Sequence, residues 1–228
     1  MRTFARSTGS SFLALLLIGT LALGGCSSLS NTEQGAIIGA GAGAAGGAAV
    51  GRAAGGTAEG AILGAVIGGT AGAIIGNRMD KKAEELDEEL ANAEVERIGE
   101  GIKVTFDSGL LFDFDSSELR GNAQRNLTEF SRSMKEYPET NILIVGHTDS
   151  KGSDSYNQQL SEDRAESAAE HLIRQGLNPG RITTMGKGES EPVATNDTEA
   201  GRQQNRRVEV AIFASEEHRQ EVQQRVSN

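Results

Sequence analysis

Two residues fifteen positions apart carry the chemistry that the rest of the chain must position. Asp149 stands in the run Gly146-His147-Thr148-Asp149-Ser150-Lys151-Gly152, directly after the apolar residues 142–145. At 100° per residue, Arg164 falls inside the arc spanned by Leu160, Ala165, Ala168 and Leu172, the side of a helix that should be apolar. A permanent charge there is costly unless an anion or a hydrogen-bonded partner meets it, so Arg164 is expected to look inward for a carboxylate. Spacing alone leaves two outcomes open. One is an internal Asp149–Arg164 ion pair that fixes a loop to a helix; the other is a two-point site for a ligand bearing both charges.

The remaining candidates for chemistry are weaker. His147, Asp149 and Ser150 or Ser153 contain the residue types of a hydrolase set, yet all lie on one loop and no GxSxG elbow occurs. His171 belongs to no HExxH pattern, so a metal centre is not expected. Gly186 and Gly188 lack the following Lys-Ser/Thr of a phosphate loop. Neither catalytic residues nor a cofactor are expected.

The elements that must hold Asp149 and Arg164 alternate between strand and helix signals. Ile102, Val104 and Phe106 alternate as a half-buried strand, and Leu119, Ala123, Leu127, Phe130 and Met134 form a helical stripe with Ser116 or Ser117 available as N-cap. Residues 142–145 read as a central strand covered on its faces, and Leu160 to Leu172 as a second helix closing at Gly176. A turn at Asn178-Pro179-Gly180, a strand over 182–187, a short helix near 198–204 and an alternating strand through Val208, Val210 and Ile212 complete a βαβαββ order. The expected fold is α+β, a mixed sheet with helices on one side, over residues 101–214. Asp149 then lies beyond the carboxyl end of a strand, where open sheets gather ligands.

Upstream the composition changes. Of the 30 glycines in 228 residues, 15 fall in residues 35–76 beside 14 alanines, while aromatics make up only 4% of the chain. Gly35, Gly39, Gly43, Gly47, Gly51 and Gly55 recur every fourth residue; after a slip, Gly56, Gly60, Gly64, Gly68, Gly72 and Gly76 do so again. Two phased arms predict a helical hairpin over 35–77, whose flat stripes let backbones approach closely; the bland alternative is a flexible Gly/Ala linker. Residues 78–100 predict a solvated charged helix acting as spacer, or else an acidic linker, and 215–228 a polar, frayed terminal helix. Residues 1–25, with Arg2 and Arg6 before a short apolar run, read as a secretory signal peptide. The formal net charge of −10 argues against nucleic acid as partner, and one cysteine excludes an intramolecular disulfide.

Leu23-Gly24-Gly25-Cys26 resembles a bacterial lipobox, which implies lipidation of Cys26, a short linker over 26–34, and, because Ser27 follows, the outer membrane. GHTD, YNQQLSEDRA, GKGE and GRQQNRRVE occur in order and are similar to the peptidoglycan-binding OmpA-like domain; with lipobox and glycine ladder, the chain resembles YiaD-type outer-membrane lipoproteins. The ligand this resemblance implies is the meso-diaminopimelate side chain of an uncrosslinked stem peptide. Asp149 would accept from its ammonium and Arg164 would clamp its carboxylate, supported by Asn157, Thr148, Asp115 and Arg206. The protein would be a non-enzymatic tether between outer-membrane lipid, reached through acylated Cys26, and the wall, with its domain in the periplasm. The competing expectation is a self-associating, membrane-inserting zipper that forms homo-oligomers and uses the domain only as an address.

Overall fold

The computed structural model describes residues 56–90, 92–113 and 115–228. In chain order the helices are α1 (Thr57–Gly64), α2 (Gly69–Glu89), α3 (Ser108–Leu111), α4 (Gly121–Met134), α5 (Asp154–Arg174), α6 (Glu199–Asn205) and α7 (Glu216–Ser227). The strands are β1 (Ala93–Ile98), β2 (Gly101–Asp107), β3 (Thr140–Gly146), β4 (Ile182–Gly186) and β5 (Arg207–Ala214), forming one sheet in the order β1-β2-β5-β3-β4. Neighbours are antiparallel except β3 and β4, which run parallel around the α5 crossover. The βαβαββ order and mixed sheet expected from residue 101 onward are present, including the short α6.

Alternation along the inner strands explains the packing. Ile142 and Ile144 of β3 with Val208, Val210 and Ile212 of β5 face Leu127, Phe130 and Met134 of α4 and Ala165, Ala168 and Leu172 of α5. The intervening residues Leu143, Val145, Ala211 and Phe213 point to the other face and are equally apolar, so that face needs a cover as well. α1 supplies it with Ala58, Ala61 and Ile62, joined by Ala65 just after the helix. Helices therefore lie on both sides of the sheet, not on one as expected, because β3 and β5 are buried on both faces.

Three further expectations are corrected. The second arm of the glycine ladder is not one helix: it breaks at Gly68 and Gly69, where φ values of +68° and +64° favour glycine, and Glu100 accepts from the amides of Ile67 (3.1 Å) and Gly68 (2.8 Å). The charged spacer ends at Glu89, and residues 93–98 pair with β2 as an edge strand. Leu86, Leu90 and Ala93 mimic a helical stripe across that boundary, whereas Ala93, Glu94, Val95 and Glu96 carry the period of two that wins once β2 is available. α2 is also docked instead of solvated. Ile75, Met79, Ala83 and Leu86 join the main core, and the buried Lys82 bonds Ser133 and Glu85 with its ammonium 4.5 Å from the centre of the Tyr137 ring. The terminal helix α7 is held against α2 and buries Val222. The expected signal peptide, Cys26 and the first arm of the ladder lie outside the described residues.

Among the described residues no helix is long and apolar enough to cross a membrane.

Candidate functional site

β3 delivers the chain to the site, and the next turns of backbone aim its side chains. α5 crosses the end of β3 so closely that a Cβ on Gly146 would collide with the Ser161 carbonyl, which leaves glycine as the residue that fits there. Ser153 caps α5 by accepting from the Tyr156 amide at 3.3 Å. Arg164, nearly one helical turn beyond Ser161, is thereby carried to the same end of the sheet as Asp149.

Both members of the pair are 5% exposed. The Asp149 carboxylate accepts from the Lys151 amide at 2.9 Å and from Arg206 Nη1 at 2.5 Å. Its direct ionic partner is thus Arg206, not Arg164. Arg206 also donates to Glu199 Oε1 at 3.0 Å, and although burial opposes its charge, the bonds to Asp149 and Glu199 raise its pKa above the ordinary value. Glu199 is held at about 2 by hydrogen bonds from Arg202 and Arg206.

Arg164 is placed differently. Its Nε donates to the Ser116 carbonyl at 3.0 Å and its guanidinium lies 5.3 Å from the centre of the Phe112 ring. Neither terminal nitrogen donates to another described residue. Burial lowers its pKa, and Tyr156, Asp115 and Asp149 act against that while Arg206 adds to it. The guanidinium is therefore oriented through its Nε and by an aromatic face.

The supporting residues gather around this pair. Asn157 is buried and donates through Nδ2 to the Asp149 carbonyl (3.1 Å) and to Glu189 Oε2 (2.6 Å). Thr148 is tied by its amide to the Gly188 carbonyl at 2.8 Å, and its buried hydroxyl has no hydrogen-bond partner among the described residues. Asp115 adopts a φ of +59° and accepts from the Tyr156 hydroxyl, which raises the Tyr156 pKa. All six predicted positions are thus linked, directly or through a shared neighbour, at one end of the sheet.

Several neighbours were not singled out from the sequence. Glu189 and Tyr156 lie within the GKGE and YNQQL stretches, so their signal was present; Phe112 and Glu199 reach the site only through tertiary contacts, as does Ser116, expected only as a cap. The N-cap role expected of Ser116 or Ser117 is not taken up, because α4 starts at Gly121 after Arg120.

The histidines belong elsewhere. His147 alternates to the second face of the sheet, where its Nε2 is 3.5 Å from Glu209 Oε2, and Arg207 donates to the same carboxylate at 2.7 Å. Burial pushes the Glu209 pKa up, but His147 and Arg207 outweigh it and hold the group at about 2. His171 lies between α4 and α5 with Nε2 3.0 Å from Thr128 Oγ1, its pKa lowered by burial and by Arg174. Among the described residues no group of His, Cys, Asp and Glu side chains could hold a metal ion.

The sequence and the fold have counterparts in known proteins. The OmpA family model matches residues 111–206, and the YMGG-like Gly-zipper model matches residues 7–80. The chain is 40% identical over 118 residues to the probable lipoprotein YiaD of Escherichia coli, covering 52% of this chain and 54% of that protein. It is 37% identical over 115 residues to the outer-membrane lipoprotein YfiB of Pseudomonas aeruginosa, covering 50% of this chain and 68% of that one. Among solved structures, the cell wall anchor of the T6SS from Pseudomonas aeruginosa superposes with a TM-score of 0.53 at 30% identity, over 60% of this chain and 98% of that one. The chain spans only 32% and 33% of the length of the longer porin relatives that it matches.

Proposed function

Since the chain belongs to the OmpA family, we propose that it is an outer-membrane lipoprotein whose periplasmic domain grips peptidoglycan without covalent chemistry. The ligand in this reading is the meso-diaminopimelate side chain of an uncrosslinked stem peptide, and the anchor is acylated Cys26. The observation that carries it is the guanidinium of Arg164, buried, fixed at Nε, and without a described acceptor at its terminal nitrogens.

The diaminopimelate tip bears an ammonium and a carboxylate on one carbon. Its carboxylate would take the two parallel donors of Arg164, and its ammonium would enter beside Asp149. Arg206 can accommodate that cation because it already shares its charge with Glu199. The incoming group is neutral overall, so the site gains two hydrogen-bonded ion pairs without acquiring net charge. The supporting roles of Asn157, Thr148 and Asp115 are to hold Asp149 and the surrounding loops in register.

Burial of Ala58, Ala61, Ile62 and Ala65 on the sheet speaks against the competing use of the ladder's second arm as a membrane-inserted zipper. The test is sedimentation of the detergent-solubilised full chain with purified peptidoglycan. Asp149→Ala and Arg164→Ala should each remain in the supernatant while their circular dichroism stays that of the parent. Pelleting of both variants at the parental level refutes the reading.

A further inference from the structure

The turn at residues 187–191 touches the ligand site on one side and α1 on the other. It is pinned at its centre by the Gly188 amide donating to Ser161 Oγ (2.9 Å) and the Gly188 carbonyl accepting from the Thr148 amide (2.8 Å), and it closes with the Ser190 amide on the Lys187 carbonyl (3.0 Å). Two carboxylates leave it in different directions. Glu189 accepts from Asn157, which in turn donates to the Asp149 carbonyl. Glu191 accepts from Thr57 at the first residue of α1, through the amide at 3.1 Å and the hydroxyl at 2.6 Å. Gly56, at the N-cap position, offers no side chain, so a residue 134 positions away provides the cap.

α1 depends on such outside support. A helix of eight residues containing glycine does not persist alone in water. It is held by Ala58, Ala61 and Ile62 against the sheet, by the Glu191 cap, and by Glu59 against Lys103 at 2.7 Å. Burial opposes the charge of Lys103, but Glu59 and Glu96 raise its pKa well above the ordinary value. One of the fastenings of α1 is thus the turn that also borders Thr148 and Asn157.

From this we infer that docking of α1 on the second face of the sheet and occupation of the Asp149–Arg164 site are thermodynamically coupled through the turn at 187–191, so that each favours the other. The inference rests on the proposed ligand. With α1 docked, Glu191 fixes the turn, Glu189 holds Asn157, and Asn157 and Gly188 hold the backbone on either side of Asp149. With α1 released, those restraints loosen and the ligand must order them itself. Reciprocity then requires the ligand to protect α1. In this role the first half of the ladder's second arm is a strap that reports wall contact toward the membrane-proximal end of the chain.

The probe is the tripeptide L-Ala-γ-D-Glu-meso-diaminopimelate, applied to the detergent-solubilised full chain. Amide hydrogen exchange over residues 57–64 should slow when the tripeptide is bound. Ala61→Asp, which undocks α1 far from the site, and the milder Glu191→Gln should each weaken tripeptide binding by roughly three- to tenfold, within the range of ordinary site-to-site coupling. If Ala61→Asp does not fold, Glu191→Gln and the exchange data decide alone. Tripeptide binding that leaves exchange at 57–64 unchanged and is matched within twofold by the variants overturns the coupling. A parent protein that binds no tripeptide overturns the ligand assignment instead, and this inference with it.

Discussion

Replacing Arg164 by Lys keeps a positive charge at the site while removing everything specific to a guanidinium. In the native protein Nε is bonded to the Ser116 carbonyl at 3.0 Å and the plane is seated by Phe112, so the two terminal nitrogens project as a fixed pair. A lysine ammonium offers one point charge on a flexible stem and cannot occupy both positions. Losing one of two charge-assisted hydrogen bonds to the ligand carboxylate removes about 1.5–3 kcal/mol, which weakens binding roughly 10- to 100-fold. The lost Ser116 bond costs the fold only about 1 kcal/mol, a fall of a few degrees in Tm for a domain of this size, so the variant stays folded at 25 °C. Isothermal titration with the diaminopimelate tripeptide measures the loss. A tripeptide with lysine in place of diaminopimelate, lacking the distal carboxylate, supplies the internal control. The parent should prefer diaminopimelate strongly, and Arg164→Lys should nearly abolish that preference. A variant that binds within twofold of the parent, or discriminates between the two peptides as well as the parent does, refutes the assignment of Arg164 to the carboxylate.

Acid should weaken the fold through Glu209, whose pKa of about 2 lies below its ordinary 4.5. A depressed carboxylate stabilises above its unfolded pKa, so on the order of 3 kcal/mol is present near neutrality and is lost as the pH falls from about 5 to 2. Urea unfolding across that window should be visibly flatter for Glu209→Gln, and parallel profiles would contradict the account. Gly146→Ala places a methyl against the Ser161 carbonyl, which as backbone cannot yield, and should cost about 1–3 kcal/mol while displacing α5 and weakening ligand binding. Gly121→Ala, with open space at the same atom, is the control: its Tm should hold or rise, and equal losses in both variants would remove close approach as the cause.

Much of the site was legible because local periodicity carries geometry. The arc through Leu160, Ala165, Ala168 and Leu172 placed Arg164 on the buried side of α5 before any contact was known, and it is buried there. The apolar run at 142–145 implied a strand covered on both faces, and both its faces are covered. What covers the second face was not legible. A glycine every fourth residue marks one stripe for close approach, but the segment meets the sheet through Ala58, Ala61, Ile62 and Ala65, which that period does not single out. Likewise the stripe through Leu86, Leu90 and Ala93 suits a helix and the alternation over 93–96 suits a strand, so the boundary waits on whether β2 offers an edge to pair with.

The chain's own pattern thus determined which side chains are buried, which segments are helix or strand through most of the domain, and which charged groups sit where charge is costly. Tertiary structure decided who meets those charges. Asp149 pairs with Arg206 from 57 residues away, Arg164 is anchored by Ser116 from 48 residues away, and α1 is capped by Glu191 from the far side of the domain. Neighbouring residues record which way a side chain points, because backbone geometry repeats over a few residues. Its partner is chosen by competition among all groups that folding brings within reach, and that competition has no local record.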